Sequence, residues 1–338
     1  MKVSFATLAM AAVFAVAVTN STDDDFAPRI VGGDEAPIGQ YTWTVGLRQT
    51  QTGRQGCGGS LISPTWVLTA GHCVSNGAPV PKYIAVGTHY LEGNSDGEVI
   101  QVKNVIAHPY FHDVLPGNDI ALIQLARPSK FTPIKLSKKA VAAGDSVRLL
   151  GWGGVGGGSD GVGGQSPVLK QSDFTVLANS DCQRRVRASG DQQLASWAIT
   201  STHLCAGGVA GQASCKGDSG GPLVRMNADG TSSLVGDVSF GVPCARGIPD
   251  VYGRISEFVS FIDQTASGHQ WDDAPDTPSP VTPSPATPST ETPLPEPIDV
   301  CGNCRGCFWP AGNQCLSQFT SVDCDYNADQ FGTVWCGL

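Results

Sequence analysis

Three short motifs carry side chains that together could perform nucleophilic catalysis. They are residues 68–73, which contain His72, residues 118–122, which contain Asp119, and residues 217–222, which contain Ser219. A serine hydroxyl is a poor nucleophile at neutral pH and needs an adjacent base, which a histidine can supply. A carboxylate beside that histidine would orient the imidazole ring and stabilise its protonated form. The residue types therefore indicate acyl transfer through a covalent serine intermediate.

Each motif also has a plain structural interpretation. A histidine after a strand is usually structural, and a Gly-Asp-Ser-Gly string is often only a turn. The joint presence of all three motifs, in this order, favours the catalytic interpretation. The remaining histidines lack a partner motif and are expected to be packing or surface residues: His89, His108, His112, His203 and His269.

The three motifs resemble those of the trypsin/chymotrypsin family of serine proteases, over about residues 29–267. The resemblance implies that His72 takes the Ser219 proton and later gives it to the leaving amine, while Asp119 orients His72. The backbone N–H groups of Gly217 and Ser219 would hold the developing oxyanion. It also implies an all-β fold of two packed six-stranded antiparallel β-barrels with a C-terminal helix.

The elements that must position these residues are visible in the sequence as short β-branched runs between Gly and Pro turns. This spacing is typical of an all-β sandwich or barrel. Predicted strands include residues 66–69, 120–123, 146–150 and 234–238. The clearest helix pattern comes last, because Ile255, Phe258, Val259 and Ile262 recur at helical spacing. Residues 151–156 satisfy a dinucleotide-binding pattern but lack a βαβ context, so they are interpreted as a strand end and a surface loop.

An activation site is implied by the stretch Arg29-Ile30-Val31-Gly32-Gly33. By the resemblance, cleavage after Arg29 frees an ammonium group at Ile30, which pairs with the acid before the nucleophile, Asp218. A buried carboxylate needs such a partner, since an unpaired buried charge is very costly. We therefore expect an uncleaved precursor with little activity.

The pocket that selects substrates has no acid at its expected floor, where the resemblance places Ala213. Ala213 alone indicates a chymotrypsin- or elastase-like preference for apolar residues. Asp250 lies where the family usually has a glycine on the facing wall, which predicts cleavage after Arg or Lys if its carboxylate faces the pocket. Residues Ser239, Phe240 and Gly241 resemble the segment that pairs with the substrate backbone. An Asp250 that only accepts local hydrogen bonds remains the alternative.

The chain divides into an expected signal peptide (1–17), activation propeptide (18–29), protease-like domain (30–267), Pro/Thr/Ser-rich linker (268–298) and Cys-rich module (299–338). Secretion into an oxidising environment favours disulfides for the twelve cysteines. The resemblance implies three pairs in the first domain: Cys57–Cys73, Cys182–Cys205 and Cys215–Cys244. No metal or other cofactor is expected. One alternative is a calcium loop at residues 92–94.

The expected partners are protein or peptide substrates of a monomeric, extracellular protein. A net charge of −9 gives no indication of nucleic-acid binding, and no segment is expected to span a membrane. The aromatic-rich, six-cysteine tail is interpreted as a unit for tethering to polysaccharide or a cell surface, or alternatively as a stabilising or protein-binding cap. A non-enzymatic binding or inhibitor protein on the same fold is the competing function, because a fold alone does not establish activity.

Overall fold

The computed structural model describes residues 33–155, 164–242, 244–272, 307–309, 314–316 and 334–336. The expected signal peptide (1–17) and propeptide (18–29, with Arg29) lie outside these residues, as do Ile30, most of the linker and most of the Cys-rich module. Among the described residues, every helix is too short or too polar to serve as a membrane span.

The first domain is built mainly from strands, with two α-helices and two short 3₁₀ helices at Gly71–Cys73 and Ile255–Glu257. The helices are α1 (Asn179–Arg187) and α2 (Val259–Thr265). The strands are β1 (Asp34–Glu35), β2 (Thr44–Arg48), β3 (Cys57–Ser63), β4 (Trp66–Thr69), β5 (Tyr83–Val86), β6 (Glu98–Ala107), β7 (Ala121–Leu125), β8 (Lys135–Ser137), β9 (Ser146–Gly151), β10 (Lys170–Thr175), β11 (His203–Gly207), β12 (Pro222–Met226), β13 (Ser232–Phe240), β14 (Pro249–Arg254) and β15 (Trp271–Asp272).

The first half closes into a six-stranded antiparallel barrel in the order β2-β3-β4-β7-β6-β5. Its interior is filled by fully buried aliphatic side chains, among them Val45, Leu61, Val67, Ile84 and Leu122. Each such side chain contributes about 1.5–3 kcal/mol by leaving water. The barrel therefore gives a rigid base to the segments that leave the ends of β4 and precede β7, where His72 and Asp119 lie.

The second half forms a sheet whose central path is β10-β9-β12-β13-β14-β11, with antiparallel pairing throughout. An isolated bridge between Val176 and Ala206 joins the two ends of this six-strand path. The expected all-β fold with two six-stranded units is thus confirmed. The sheet differs from the expectation in three extra strands. β1 pairs antiparallel with β10, β8 pairs in parallel with β13, and β15 pairs in parallel with β8.

The C-terminal helix begins later than its apolar pattern predicts. Ile255 lies in a 3₁₀ helix, and Phe258 adopts non-helical dihedral angles before α2 begins at Val259. The earlier helix α1 was not predicted. Its buried positions are only Cys182, Gln183 and Val186, so its apolar stripe is too short to recognise.

The folded domain continues past residue 267, where the linker was expected to begin. The Asp272 carboxylate accepts hydrogen bonds from Arg225 (2.9 Å) and from the Ser233 hydroxyl (2.6 Å), which attach β15 to the second sheet. In the C-terminal module, β16 (Cys307–Trp309), β17 (Gln314–Leu316) and β18 (Val334–Trp335) form a small antiparallel sheet in the order β17-β16-β18.

Candidate active site

His72 and Asp119 are held together by two hydrogen bonds. His72 lies in the 3₁₀ helix that follows β4, and its Nδ1 is 2.8 Å from Asp119 Oδ2. The backbone N–H of His72 also donates to Asp119 Oδ1 at 2.8 Å. Because both carboxylate oxygens are engaged, the imidazole ring has a defined orientation with Nε2 directed away from Asp119. This is the base–orienter pair that acyl transfer by a serine requires.

Asp119 is 2 % exposed and receives a third hydrogen bond, from the Ser239 hydroxyl at 2.6 Å. Ser239 lies in β13 at an irregularity, where the pairing with β14 shifts between Val238 and Phe240. A bulge of this kind re-aims one side chain relative to the regular pleat. Ser239 was expected beside the substrate backbone. Its contact with Asp119, from the other half of the domain, could not be derived from its place in the sequence.

Ser219 lies in the turn before β12, which packs against the end of β4. Its carbonyl accepts a hydrogen bond from Gly58 N at 2.8 Å. A side chain at Gly220 would place its Cβ 2.2 Å from Thr69 Oγ1 and 2.9 Å from Ala70 N, and Gly220 has φ +73°. Only glycine fits this close approach. The turn therefore brings the nucleophile candidate against the segment that carries His72.

The two N–H groups expected to hold an oxyanion belong to Gly217 and Ser219. In the described part of the chain, neither donates to a protein acceptor, whereas the intervening Asp218 N–H donates to Cys215 O at 2.9 Å. The N–H groups of Gly217 and Ser219 can therefore both donate to the same bound anion, as an oxyanion hole requires. The Gln165 side chain packs directly over Gly217, since a Cβ there would lie 2.3 Å from Gln165 Nε2.

No hydrogen bond joins Ser219 Oγ to His72 Nε2 among the contacts of the described residues. In ligand-free enzymes such catalytic bonds are often long and shorten only when substrate binds. The structure therefore brings His72, Asp119 and Ser239 into direct contact and places the Ser219 turn beside them.

Three disulfides support the site, and their pairing is the one that the resemblance implies: Cys57–Cys73, Cys182–Cys205 and Cys215–Cys244. The first ties the residue after His72 to β3. The second ties α1 to β11. The third ties the segment before Gly217 to the loop before β14. Crosslinks of this kind stabilise chiefly by restricting the unfolded chain.

Asp218 is completely buried beside the nucleophile turn. Its Oδ1 accepts a hydrogen bond from Gly153 N at 2.7 Å, and its Oδ2 accepts one from Cys215 N at 2.9 Å. Side chains at Gly151 or Gly153 would collide with this carboxylate, which explains two glycines of the dinucleotide-like pattern. Burial raises the pKa of Asp218 to about 6, although its two N–H donors act in the opposite direction. Within the described residues, no cation neutralises this carboxylate.

Asp250 lies in β14 and is buried next to the other pocket residues. Its Oδ2 accepts a hydrogen bond from Ser214 N at 2.6 Å, directly after the buried Ala213. On the opposite side, a Cβ at Gly241 would lie 2.6 Å from Asp250 Oδ1. Burial, together with the negative charge of Asp218, raises the pKa of Asp250 to about 7. The expected floor and wall residues therefore lie in one cluster.

Phe240 is half-buried between the pocket segment and the helix α1 region. Its ring meets Trp197 edge-on with centroids 5.5 Å apart, and it also contacts the His203 ring. Trp197 Nε1 donates to Leu115 O at 3.0 Å, which joins this aromatic cluster to the loop before Asp119. His203 is thus a packing residue, as its sequence context predicted.

A buried acid that sequence reasoning missed, Asp237, lies near Asp119. Asp237 is fully buried in β13, and neither of its carboxylate oxygens has a hydrogen-bond partner among the described residues. Burial and the negative charge of Asp119 raise its pKa well above the ordinary value. The only signal was an acid inside the otherwise apolar run of residues 234–238. Burial without a hydrogen-bond donor therefore favours the neutral form of this carboxyl group.

The raised pKa of Asp250 makes a prediction about stability. The exchange Asp250→Asn should stabilise the uncleaved protein near pH 7.5 and have little effect near pH 4. A carboxyl group with a raised pKa in the folded state adds stability below its unfolded value of 3.8, and this contribution is lost as the pH rises through about 7. Asparagine keeps an acceptor for Ser214 N and does not ionise. At about 1.4 kcal/mol per pKa unit, the difference should reach a few kcal/mol.

The measurement is thermal unfolding of both proteins in a Ser219→Ala background at about pH 4, 5.5 and 7.5. Each kcal/mol should shift the midpoint by about 2–4 °C. Titrating groups that do not interact with Asp250, including Asp237 and the buried His203, are common to both proteins and cancel in the comparison. Repulsion between Asp218 and Asp250 is lost in Asp250→Asn and adds to the same pH-dependent difference. A midpoint difference that does not change with pH would contradict this assignment.

The guanidinium of Arg48 lies against the loop of residues 90–97, which contains the residues 92–94 that were considered for a calcium site. Arg48 is 1 % exposed and its guanidinium donates to the carbonyl oxygens of Gly93 (2.5 Å) and Leu91 (3.3 Å) and to Gln55 Oε1. These carbonyl groups are therefore already satisfied by a positive charge. Arg48 was not recognised from the sequence, because nothing in its local context indicates burial.

The comparisons with known proteins agree with this geometry. The family model described as trypsin matches residues 30–262. Glucanase inhibitor protein 3 of Phytophthora infestans is 37 % identical over 257 residues, covering 75 % of this chain and 94 % of the relative. Glucanase inhibitor protein 2 of Phytophthora sojae is 37 % identical over 269 residues, covering 78 % and 87 %. Glucanase inhibitor protein 2 of Phytophthora infestans is 38 % identical over 245 residues, covering 71 % and 90 %. The chain therefore belongs to the trypsin family.

Proposed function

We propose that this protein is a secreted serine endopeptidase that cleaves peptide bonds through an acyl-enzyme formed on Ser219. The observation that carries the proposal is the pair of 2.8 Å hydrogen bonds between His72 and Asp119, reinforced by Ser239. A histidine with only a structural role would not require a buried carboxylate, such as that of Asp119, that accepts three hydrogen bonds. Ser219 attacks the carbonyl carbon, His72 accepts the proton, and the N–H groups of Gly217 and Ser219 bind the oxyanion.

The proton that His72 accepts is returned to the leaving amine, which departs as the acyl-enzyme forms. Water then attacks the ester, again with His72 as the base, and Ser219 is regenerated with its proton. Asp119 orients His72 and stabilises its imidazolium form electrostatically. The three hydrogen bonds that Asp119 accepts support this role, since they fix its carboxylate against the imidazole ring.

For specificity, we propose cleavage after Arg or Lys, with Asp250 as the residue that pairs with the substrate cation. The close approach of Asp250 to Gly241 and its hydrogen bond from Ser214 N, next to Ala213, support this placement. A bound cation would offset the burial of the carboxylate and lower its pKa. The alternative is a chymotrypsin- or elastase-like preference, in which Asp250 stays neutral beneath an apolar pocket.

The specificity proposal predicts that Asp250→Gly lowers kcat/KM for substrates with Arg before the cleaved bond by roughly 10- to 100-fold, the loss typical of a charge-assisted hydrogen bond. Substrates with Leu or Phe should be affected little. In the wild-type enzyme, the preference for Arg over Leu should grow as the pH rises through about 7, because Asp250 then ionises.

The measurement is hydrolysis of short peptides ending in Arg, Lys, Phe, Leu or Ala. Asp250→Asn serves as the matched control, since it removes the charge and retains the hydrogen bond to Ser214. The absence of Arg and Lys cleavage by the wild-type enzyme would refute the role of Asp250.

A second candidate function is binding and inhibition of a glucanase, without catalysis. It is favoured by the relatives, whose names describe glucanase inhibitors and which match at 37–38 % identity over most of their length. In this case the protease fold would offer its surface to another protein, and the triad geometry would have no catalytic use. An endopeptidase requires the Ser219 hydroxyl as its nucleophile, whereas an inhibitor without catalysis does not.

Labelling with a fluorophosphonate separates the two functions. An endopeptidase should be labelled at Ser219 after activation and should hydrolyse a peptide library. An inhibitor without catalysis should not be labelled, yet should reduce the activity of a β-glucanase in a stoichiometric complex. Ser219→Ala would abolish the first behaviour and leave the second unchanged. Wild-type protein that shows neither labelling nor hydrolysis would overturn the endopeptidase proposal.

The C-terminal module is proposed as a tether to polysaccharide or a cell surface. Its cysteine density and aromatic content support this proposal. Retention of the full chain, with the protease inactivated by Ser219→Ala, on cellulose, chitin or β-glucan would test it. A chain ending at Asp272, the last residue of β15, is the matched control.

A further inference from the structure

We propose that Arg185 is a positioning residue for the substrate pocket, because it joins the two loops whose continuations carry Ser214 and Asp250. This inference rests on the proposed protease function and names a residue that acts on specificity from outside the pocket. Arg185 lies on α1, so nothing in its place in the sequence connects it with substrate recognition.

The guanidinium of Arg185 reaches across to two separate loops. Its Nη2 donates to the carbonyl oxygen of Gly208, and to that of Gly247 at 2.7 Å. Both glycines have positive φ angles, +78° in each case. A Cβ at Gly208 would lie 2.7 Å from Arg185 Nη2, so only glycine admits the guanidinium there. Two carbonyl groups from different segments thus share one cation.

The two loops extend an antiparallel pair beyond its last regular partners. β11 and β14 pair as far as Gly207 opposite Pro249. Beyond that point, the contacts between the loops are an isolated bridge between Ala210 and Arg246 and a hydrogen bond from Gly211 N to Ala245 O at 2.9 Å. This is sparse pairing for segments that must keep a fixed separation. Arg185 supplies a connection that the backbone itself does not.

The same two segments also meet in the pocket. The first loop continues to Ala213 and Ser214, and the second continues to Asp250. There the Ser214 N–H donates to Asp250 Oδ2 at 2.6 Å, and the disulfide between Cys215 and Cys244 closes the pair. The disulfide therefore joins the two segments beside the pocket, and Arg185 joins them where the regular pairing of β11 with β14 ends, next to Gly207 and Pro249. Asp250 follows Pro249 in that pairing, so release of Arg185 should loosen the end of the strand that holds the Asp250 carboxylate.

Its neighbour Arg184 provides a matched control. Arg184 is on the same helix and pairs with the same carboxylate, Asp181, but its side chain is 73 % exposed and, among the described residues, has no hydrogen bond to either loop. Arg185 is 28 % exposed, and its Nη1 is 3.6 Å from Asp181 Oδ2. Loss of Arg184 therefore removes a helix ion pair of small energy without touching the loops.

The kinetic test compares Arg185→Met and Arg184→Met in activated enzyme. For substrates with Arg before the cleaved bond, Arg185→Met should raise KM about 10-fold, as expected for the loss of one charge-assisted hydrogen bond, with a much smaller change in kcat. The rate of fluorophosphonate labelling at Ser219 should stay within about twofold, because the triad lies on other segments. Arg185→Lys, which keeps the positive charge but has a shorter reach than Arg185 Nη2, should give an intermediate KM.

A second readout does not need activity. Hydrogen–deuterium exchange at the Gly211 N–H should be faster in Arg185→Met than in Arg184→Met, in a Ser219→Ala background. Unchanged exchange at residues 208–212 and 245–248, or an unchanged KM for Arg substrates, would overturn the proposal. Wild-type protein with no hydrolysis and no labelling would instead refute the protease function, and the exchange result would then decide the role of Arg185 in the loops alone.

Discussion

Replacing Ser219 by alanine is expected to reduce kcat/KM on peptide substrates by at least about 10⁴-fold. Without the Ser219 hydroxyl, no side chain of the proposed triad can attack the substrate carbonyl carbon. His72 and Asp119 would remain bonded at 2.8 Å, and the oxyanion donors would remain in place, so the residual rate would come from substrate binding and oxyanion stabilisation. The loss should appear in kcat rather than in KM.

The measurement is steady-state hydrolysis of the best peptide from the library, with activated wild-type enzyme as the reference. Ser201→Ala, at an exposed serine outside the site, controls for the substitution itself. Thermal unfolding should show that Ser219→Ala is folded. Hydrolysis that survives this exchange would mean that Ser219 is not the nucleophile.

The second large effect concerns Arg29. An Arg29→Gln precursor, which the activating cleavage cannot process, is expected to be at least about 10²–10³-fold less active than the cleaved enzyme. The reason is the state of Asp218, which is fully buried and is bound only by backbone N–H groups among the described residues. An ammonium group at Ile30 would neutralise this carboxylate, and the adjacent Gly217 and Ser219 would then adopt the oxyanion-binding geometry.

Purified precursor and cleaved protein should therefore be compared for peptide hydrolysis and for labelling of Ser219. The cleaved wild-type protein should have a new N-terminus at Ile30, as judged by mass spectrometry. Asp218→Asn in the cleaved protein should return it to the low activity of the precursor, because an amide cannot pair with the ammonium group. Full activity of uncleaved Arg29→Gln protein would exclude the activation switch.

These two effects also bear on the glucanase-inhibitor alternative. A protein that only binds a glucanase should tolerate both Ser219→Ala and Arg29→Gln, unless the binding surface itself forms on activation. A parallel assay of β-glucanase inhibition with the same variants would show whether the two functions share a site. Loss of peptide hydrolysis together with unchanged inhibition would place them on different surfaces of one protein.

Much of the site was accessible from the sequence because its chemistry depends on residue types that are rare in combination. The order of His72, Asp119 and Ser219 identified the family, and the strand at residues 66–69 was predicted with the bounds that β4 has. A short apolar and β-branched run between turns is sufficient to indicate such a strand, and all four residues of β4 are buried. The C-terminal helix was recognised from the helical spacing of its apolar residues, although its first turn is 3₁₀.

Other features were decided by contacts between distant segments. Ser239 reaches Asp119 across 120 residues, and Arg48 fills a loop that begins more than forty residues later. The burial of Asp237 and Asp250, and hence their raised pKa values, follows from the strands that pack around them and not from their neighbours in the chain. The sequence alone determined the family and the residue types of the candidate site. Only the tertiary structure decided where the charges lie, because desolvation and hydrogen-bond partners are properties of the packed state.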